Sequence, residues 1–250
     1  MQFPDRTEAG RQLADRLLPF KDRQPVVLAL PRGGVPVGFE IARTLAAPFD
    51  LVLVRKIGAS YHEELAIGAI ADGEHPQLVI DPKLVADLAV TPGYLERMKQ
   101  TALQEIERRR DAWFGDRPPV AVAGHVAIVV DDGIATGATM LAALRATRRR
   151  RPTRLVLAVP VAPRDTLKKL RHEVDETVCL ATPSDFFSVG HSTARFRNCG
   201  TRKSPNCSIR RARLFHRPTS KRHQWITAQC SCSACTAAVT SPSAWQRGWK

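Results

Sequence analysis

The chain has 250 residues, a formal net charge of +14 and 44% hydrophobic residues, a length and balance that suit one large α/β domain or one domain with an appendage. No apolar run approaches the roughly 20 residues that a bilayer-spanning helix needs. The opening Met1-Gln2-Phe3-Pro4-Asp5-Arg6 lacks the charged-then-apolar pattern of a secretion signal, so the expectation is a soluble cytoplasmic protein. Residues 191–250 hold 12 of the 38 Lys/Arg and none of the 24 Asp/Glu, which leaves residues 1–190 nearly neutral. Five of six cysteines (Cys199, Cys207, Cys230, Cys232, Cys235) and three of four tryptophans also follow residue 190. These two compositions divide the chain into a domain over 1–190 and a basic tail over 191–250.

Residues 5–18 read as an amphipathic helix, with Asp5 as its cap and Leu13, Leu17 and Leu18 on one face. Pro25 introduces Val26-Val27-Leu28-Ala29-Leu30, a continuous apolar run of the kind found in buried parallel strands. Pro31-Arg32-Gly33-Gly34 then turns into a helix that continues to residue 45. The glycines sit where a backbone could approach a ligand, although this loop has neither the Walker lysine nor the three-glycine dinucleotide pattern. Taken alone it is equally an ordinary strand-to-helix turn. Residues 50–54 read as the next strand, ending in Arg55-Lys56; these two cations either point into a crevice at the strand end or are solvated. The segment 60–70, which contains His62 and Glu64, comes next, and His62 reads as a surface histidine. Residues 77–80 read as a strand, and 82–88 and 92–113 as helices. The second helix carries Leu95, Met98, Leu103 and Ile106 on one stripe, and Arg108-Arg109-Arg110 at its end as solvated charge that suits the helix dipole.

The chain is organised around residues 127–140. Ala127-Ile128-Val129-Val130 leads into Asp131-Asp132, then a small-residue loop, Gly133 to Thr139, and a helix-forming run: strand, loop, helix. In parallel α/β sheets, ligands bind where strands end and helices begin. Backbone N–H groups of Ala135, Thr136, Gly137, Ala138 and Thr139 can converge on a phosphate, with the two threonine hydroxyls as extra donors. The helix N-terminus adds roughly 0.3–1 kcal/mol for an anion. Asp131 and Asp132 would repel that phosphate, so they suit neutral hydroxyls beside it, such as those of a ribose. Arg148 to Arg151 then form a second basic helix terminus. Residues 155–161 and 176–180 read as strands and 164–172 as a helix. The alternation predicts a doubly wound, mostly parallel sheet of Rossmann-like type.

The 127–140 stretch resembles the phosphoribosyl-diphosphate (PRPP) signature of the type I phosphoribosyltransferases, departing at Gly133, where the family usually carries an aliphatic residue. The loop Arg32-Gly33-Gly34 resembles the family's pyrophosphate loop, which often contains a non-proline cis peptide; the analogous bond here leads into Arg32. Val-Arg-Lys-Ile-Gly resembles the Arg-Lys that grips pyrophosphate in adenine-type members, and residues 60–70 resemble the hairpin that closes over PRPP, with Glu64 as its polar functional residue. The resemblance implies transfer of a phosphoribosyl group from PRPP to a nitrogenous base, with Mg²⁺ held through substrate oxygens rather than by protein ligands. It also makes Asp131, Asp132, Arg55, Lys56 and Glu64 the catalytic candidates. Phe186 and Phe187, where the family's hood begins, are base-stacking candidates and equally core plugs. Ala135 stands where 6-oxopurine enzymes carry a catalytic Asp, which argues against hypoxanthine or guanine as acceptor. A homodimer is compatible with this reading, and the acceptor base is not legible. The competing class is non-catalytic: a PRPP-sensing or RNA-binding regulator on the same fold.

After Gly190 the hydrophobic periodicity ends. Cys230-x-Cys232-x-x-Cys235, with His216, His223, Cys199 and Cys207, fits no regular zinc-finger spacing. Trp225, Trp245 and Trp249 among arginines would suit nucleic acid through stacking and phosphate neutralisation. The reading favoured is translation out of frame, which predicts disorder because too little apolar area is available to offset ordering entropy.

Overall fold

The computed structural model describes residues 3–59, 62–72, 76–114 and 118–183; Phe186, Phe187 and the tail lie outside them. In chain order the elements are α1 (Arg6–Leu17), β1 (Pro25–Ala29), α2 (Gly34–Leu45), β2 (Phe49–Leu51), β3 (Val54–Ala59), β4 (His62–Ala71), β5 (Gln77–Ile80) and α3 (Pro82–Asp87). They continue with α4 (Pro92–Phe114), β6 (Val126–Val130), α5 (Ala138–Arg149), β7 (Arg154–Val161), α6 (Arg164–Leu170) and β8 (Glu176–Ala181). No helix of the described residues is long and apolar enough to cross a membrane.

The continuous apolar runs become a five-stranded parallel sheet in the order β2-β1-β6-β7-β8. Every residue of β1 and β6 is buried, as expected for strands covered on both faces. One face, built from Val26, Leu28, Val129 and Leu157, packs with Met140 and Leu144 of α5 and with Ala69 and Ala71 of β4. From β1 the chain crosses to β2 on one side; from β6 it crosses to β7 on the other. The boundary between β1 and β6 is therefore the topological switch point, the place where open α/β sheets bind ligands. The Leu30 N–H donates to the Val130 carbonyl at 2.9 Å and ties the two strand ends together.

The second sheet, β3-β4-β5, is an antiparallel ribbon. It corrects the strand predicted at 50–54. The Val52 N–H still reaches the Ala29 carbonyl at 3.0 Å, but the Asp72 N–H donates to the Leu53 carbonyl at 2.9 Å, and the chain leaves the parallel sheet there. Leu53 in turn donates to Asp72 Oδ1 at 3.1 Å, so β2 stops at Leu51 and Val54 opens the ribbon.

Two smaller expectations change. Asp5 caps α1 as expected, accepting from the Glu8 N–H at 2.8 Å, but Leu18 is 45% exposed. The α-helix ends at Leu17 and a 3₁₀ turn containing Pro19 follows, which buries Phe20 instead. The arginine run on α4 is paired rather than only solvated: Arg108 and Arg109 meet Glu105, and Arg110 meets the buried Asp72.

Candidate active site

Two loops meet at the switch point. The first leaves β1 through Pro31, Arg32 and Gly33, and the Pro31–Arg32 peptide bond is cis, at the position the resemblance implied. Gly33 is required by close approach. A Cβ there would lie 2.3 Å from the carboxylate carbon of Asp132, so any side chain would expel that carboxylate. Sequence reasoning placed these glycines against a ligand; the structure puts Gly33 against the second loop. Arg32 is exposed at the rim.

The second loop follows β6. Asp131 and Asp132 stand at its start, half-buried, and the Asp132 N–H donates to Asp131 Oδ1 at 2.8 Å. Arg6 of α1 reaches Asp132 Oδ2 with Nε at 2.8 Å and Nη2 at 2.6 Å. Burial, and then the neighbouring Asp132 charge, push the Asp131 carboxyl well above its ordinary range. Each acid thus has one oxygen engaged by the protein. The two carboxyls also lie within hydrogen-bonding reach of each other, and among the described residues no backbone amide donates to Asp131 Oδ2 or Asp132 Oδ1.

Beyond the acids, Gly137 adopts φ of +86°, a conformation that a side chain would oppose. Its carbonyl accepts from the Leu141 N–H at 2.8 Å and opens α5. The Ile134 N–H donates to the Val161 carbonyl at 3.0 Å, and the Thr166 hydroxyl to the Ala135 carbonyl at 2.9 Å, so neighbouring segments fix the start of the turn. No described carbonyl takes the N–H groups of residues 135–140. Ala135 and Thr136 are exposed and Gly137 to Thr139 half-buried, so the turn is open to a ligand. A row of uncommitted amides at a helix N-terminus is a ready anion cradle.

Arg55 and Lys56 lie on β3 of the ribbon, not at the end of a parallel strand. Neighbouring residues of a strand leave opposite faces, so the two cations are separated. Lys56 pairs in register with Ala69 and Val54 with Ala71, on the face that packs toward α5; Arg55 pairs with Ile70 on the other. Arg55 is half-buried and Lys56 exposed. Glu64 falls within β4, and His62 pairs in register with Ala59. The ribbon is anchored by Asp72 and by the Tyr94 hydroxyl of α4, which donates to the Gly58 carbonyl at 3.2 Å. Burial raises the Asp72 carboxyl above its ordinary value, with Arg110 opposing that rise.

Three residues of this site escaped sequence reasoning: Arg6, Thr166 and Asp72. Arg6 lies on the charged side of an amphipathic helix 126 residues from its partner, and no local pattern distinguishes it from its neighbours.

The family described as "Phosphoribosyl transferase domain" matches residues 6–194, about three quarters of the chain. The chain belongs to that family. Two Mycobacterium tuberculosis proteins, each named "Putative phosphoribosyl transferase", are 43% identical to it over 194 residues. That match covers 78% of this chain and 43% of theirs, so the chain spans less than half the length of those relatives. The crystal structure of TT1426 from Thermus thermophilus is 40% identical, with a TM-score of 0.64, covering 78% of this chain and 92% of that one. The doubly wound, mostly parallel fold read from the sequence is the one observed.

Proposed function

We propose that the chain binds PRPP with Mg²⁺ at the β1–β6 switch point and transfers its phosphoribosyl group to a ring nitrogen of a base. In that reaction the nitrogen lone pair forms a bond to C1. The bond from C1 to the diphosphate oxygen breaks with its electrons on oxygen, and the nitrogen's proton passes to solvent. Positive charge builds on the sugar ring as the diphosphate leaves, so catalysis consists of positioning the sugar and stabilising the departing anion.

One observation carries the reading: two adjacent carboxyls, each with an oxygen that no backbone amide of the described residues reaches, stand beside six consecutive amides without protein acceptors among the described residues. That arrangement suits a sugar with two neighbouring hydroxyls and a phosphate on its far carbon. Asp131 Oδ2 and Asp132 Oδ1 each accept one ribose hydroxyl. Amides of residues 135–139, with the Thr136 and Thr139 hydroxyls, hold the 5′-phosphate. Arg32, the Gly33 and Gly34 backbone, and Lys56 receive the diphosphate, while Arg55 leaves the opposite face of the ribbon. Glu64 belongs to the hairpin that closes over it and excludes water from the reactive ring. Mg²⁺, which binds through a few carboxylates together with substrate phosphates and water, would neutralise charge on the leaving diphosphate. Ala135 supplies no carboxylate to a base, which favours an acceptor other than a 6-oxopurine.

The test is calorimetric titration of PRPP with Mg²⁺, followed by a screen of nitrogenous bases scored by pyrophosphate release. Both are run on this chain and on a version ending at Gly190. Binding, with release in the presence of one base, is the expected outcome. No PRPP binding overturns the proposal, and binding without release for any base converts it to a PRPP sensor.

A further inference from the structure

Arg6 is the first residue of α1, immediately after the capping Asp5. A cation in the first turn of a helix opposes the helix dipole, so helix stability does not account for it. What the position provides is reach. α1 lies beside the parallel sheet and delivers the guanidinium to the outer carboxylate of the acid pair, with side-chain exposures of only 23% for Arg6 and 15% for Asp132.

We propose that Arg6 is a positioning residue that selects which Asp132 oxygen faces the ligand. The assignment rests on the reading of the acid pair as the grip on the ribose hydroxyls. Arg6 Nε and Nη2 both converge on Oδ2, at 2.8 and 2.6 Å, so in this proposal Oδ1 goes to the ligand hydroxyl. Gly33 packs against the same carboxylate, since a Cβ there would lie 2.3 Å from Oδ2 and 2.5 Å from Oδ1. Held by a guanidinium and packed against a glycine, Asp132 has one orientation. The guanidinium also places a positive charge beside two adjacent acids, which lets both approach neutral hydroxyls without expelling each other. Lysine has one ammonium in place of a fork and restores the charge but not the two-point hold.

The experiment compares the full-length chain with Arg6→Gln and Arg6→Lys, by calorimetry with Mg²⁺ and three probes: PRPP, ribose 5-phosphate and inorganic pyrophosphate. Arg6→Gln is expected to weaken PRPP and ribose 5-phosphate by about tenfold or more, as loss of a charge-assisted pair would. It should leave pyrophosphate within about twofold, and Arg6→Lys should recover part of the loss. Equal weakening of all three probes, with a lowered Tm, would mean a merely structural role and overturn the assignment. Unchanged or tighter PRPP binding in Arg6→Gln overturns it as well, the tighter case making Arg6 a competitor of the ligand. If the unaltered chain does not bind PRPP, the reading of function fails and takes this one with it; binding by the unaltered chain that Arg6→Gln does not alter defeats the Arg6 assignment alone.

Discussion

The two sheets of this protein bind their surroundings in different ways. In the parallel sheet, β1 and β6 are buried along their whole length, and the loops that leave them are fixed by hydrogen bonds to one another and to β7 and α6. The antiparallel ribbon has half-buried and exposed positions along β3, and holds to the body through the Asp72–Arg110 pair, the Tyr94 hydroxyl and the buried Ile57, Ile70, Ala69 and Ala71. The acids and the amide cradle sit on the first, and the Arg55-Lys56 cations on the second. The proposed transfer would gain from that division: the sugar's phosphate and hydroxyls would meet a preorganised surface, and the departing diphosphate would meet a cation on a separate element.

Removing the acids should produce the largest effect. Asp131→Asn with Asp132→Asn is expected to weaken Mg²⁺-dependent PRPP binding by about a hundredfold or more, since each charged acceptor contributes roughly 1.5–3 kcal/mol. Calorimetry measures this, and unchanged binding would mean that the parallel-sheet loops are not the sugar site. The single variant Asp131→Asn should show a higher Tm near neutral pH. Its carboxyl titrates above the ordinary 3.8 when folded, so the folded chain retains that proton longer than the unfolded one. Stability from this group is present below 3.8 and declines as pH rises toward the folded value, and the Asn variant lacks that decline.

Arg110→Ala tests the ribbon. It strands a buried carboxylate and should cost about 2–3 kcal/mol, with Tm as the readout. Because Asp72 is already raised above 3.8 by burial, losing Arg110 raises it further, so the loss should be greater at pH 8 than at pH 5. Pyrophosphate affinity should fall with it while ribose 5-phosphate affinity holds. A fall in both would erase the proposed division between the sheets. Gly33→Ala forces a Cβ into the Asp132 carboxylate and should cost about 1–3 kcal/mol, as overpacking does, and weaken ribose 5-phosphate selectively. Smallest is Thr166→Val, which removes one hydrogen bond to the Ala135 carbonyl. A loss of about 1 kcal/mol in Tm-derived stability, with a severalfold drop in phosphate affinity, is expected.

Much of the fold was legible. The strand at 77–80 matches β5, and the runs read at 127–130 and 155–161 fall one residue short of β6 and β7 at their starts, because continuous β-branched runs bounded by turns have few alternatives in a buried sheet. The acid pair and its turn were legible because an anion cradle needs small residues and hydroxyls in a contiguous stretch. The end of β2 was not, since Val52, Leu53 and Val54 continue the apolar run; only their bonds to Asp72 show where the chain departs. Arg110 looked like one of three solvated arginines until Asp72 met it across 38 residues.

Local pattern determined the alternation of strand and helix, the position of the small-residue turn and the pairing of two acids, because each depends on residues within one turn or one strand of each other. Tertiary structure decided which oxygen of Asp132 Arg6 engages, why Gly33 has no side chain, and that Arg55 and Lys56 face apart. Those outcomes depend on Arg6, on a loop some 100 residues away and on strand register, and contacts across such distances leave no periodicity along the chain.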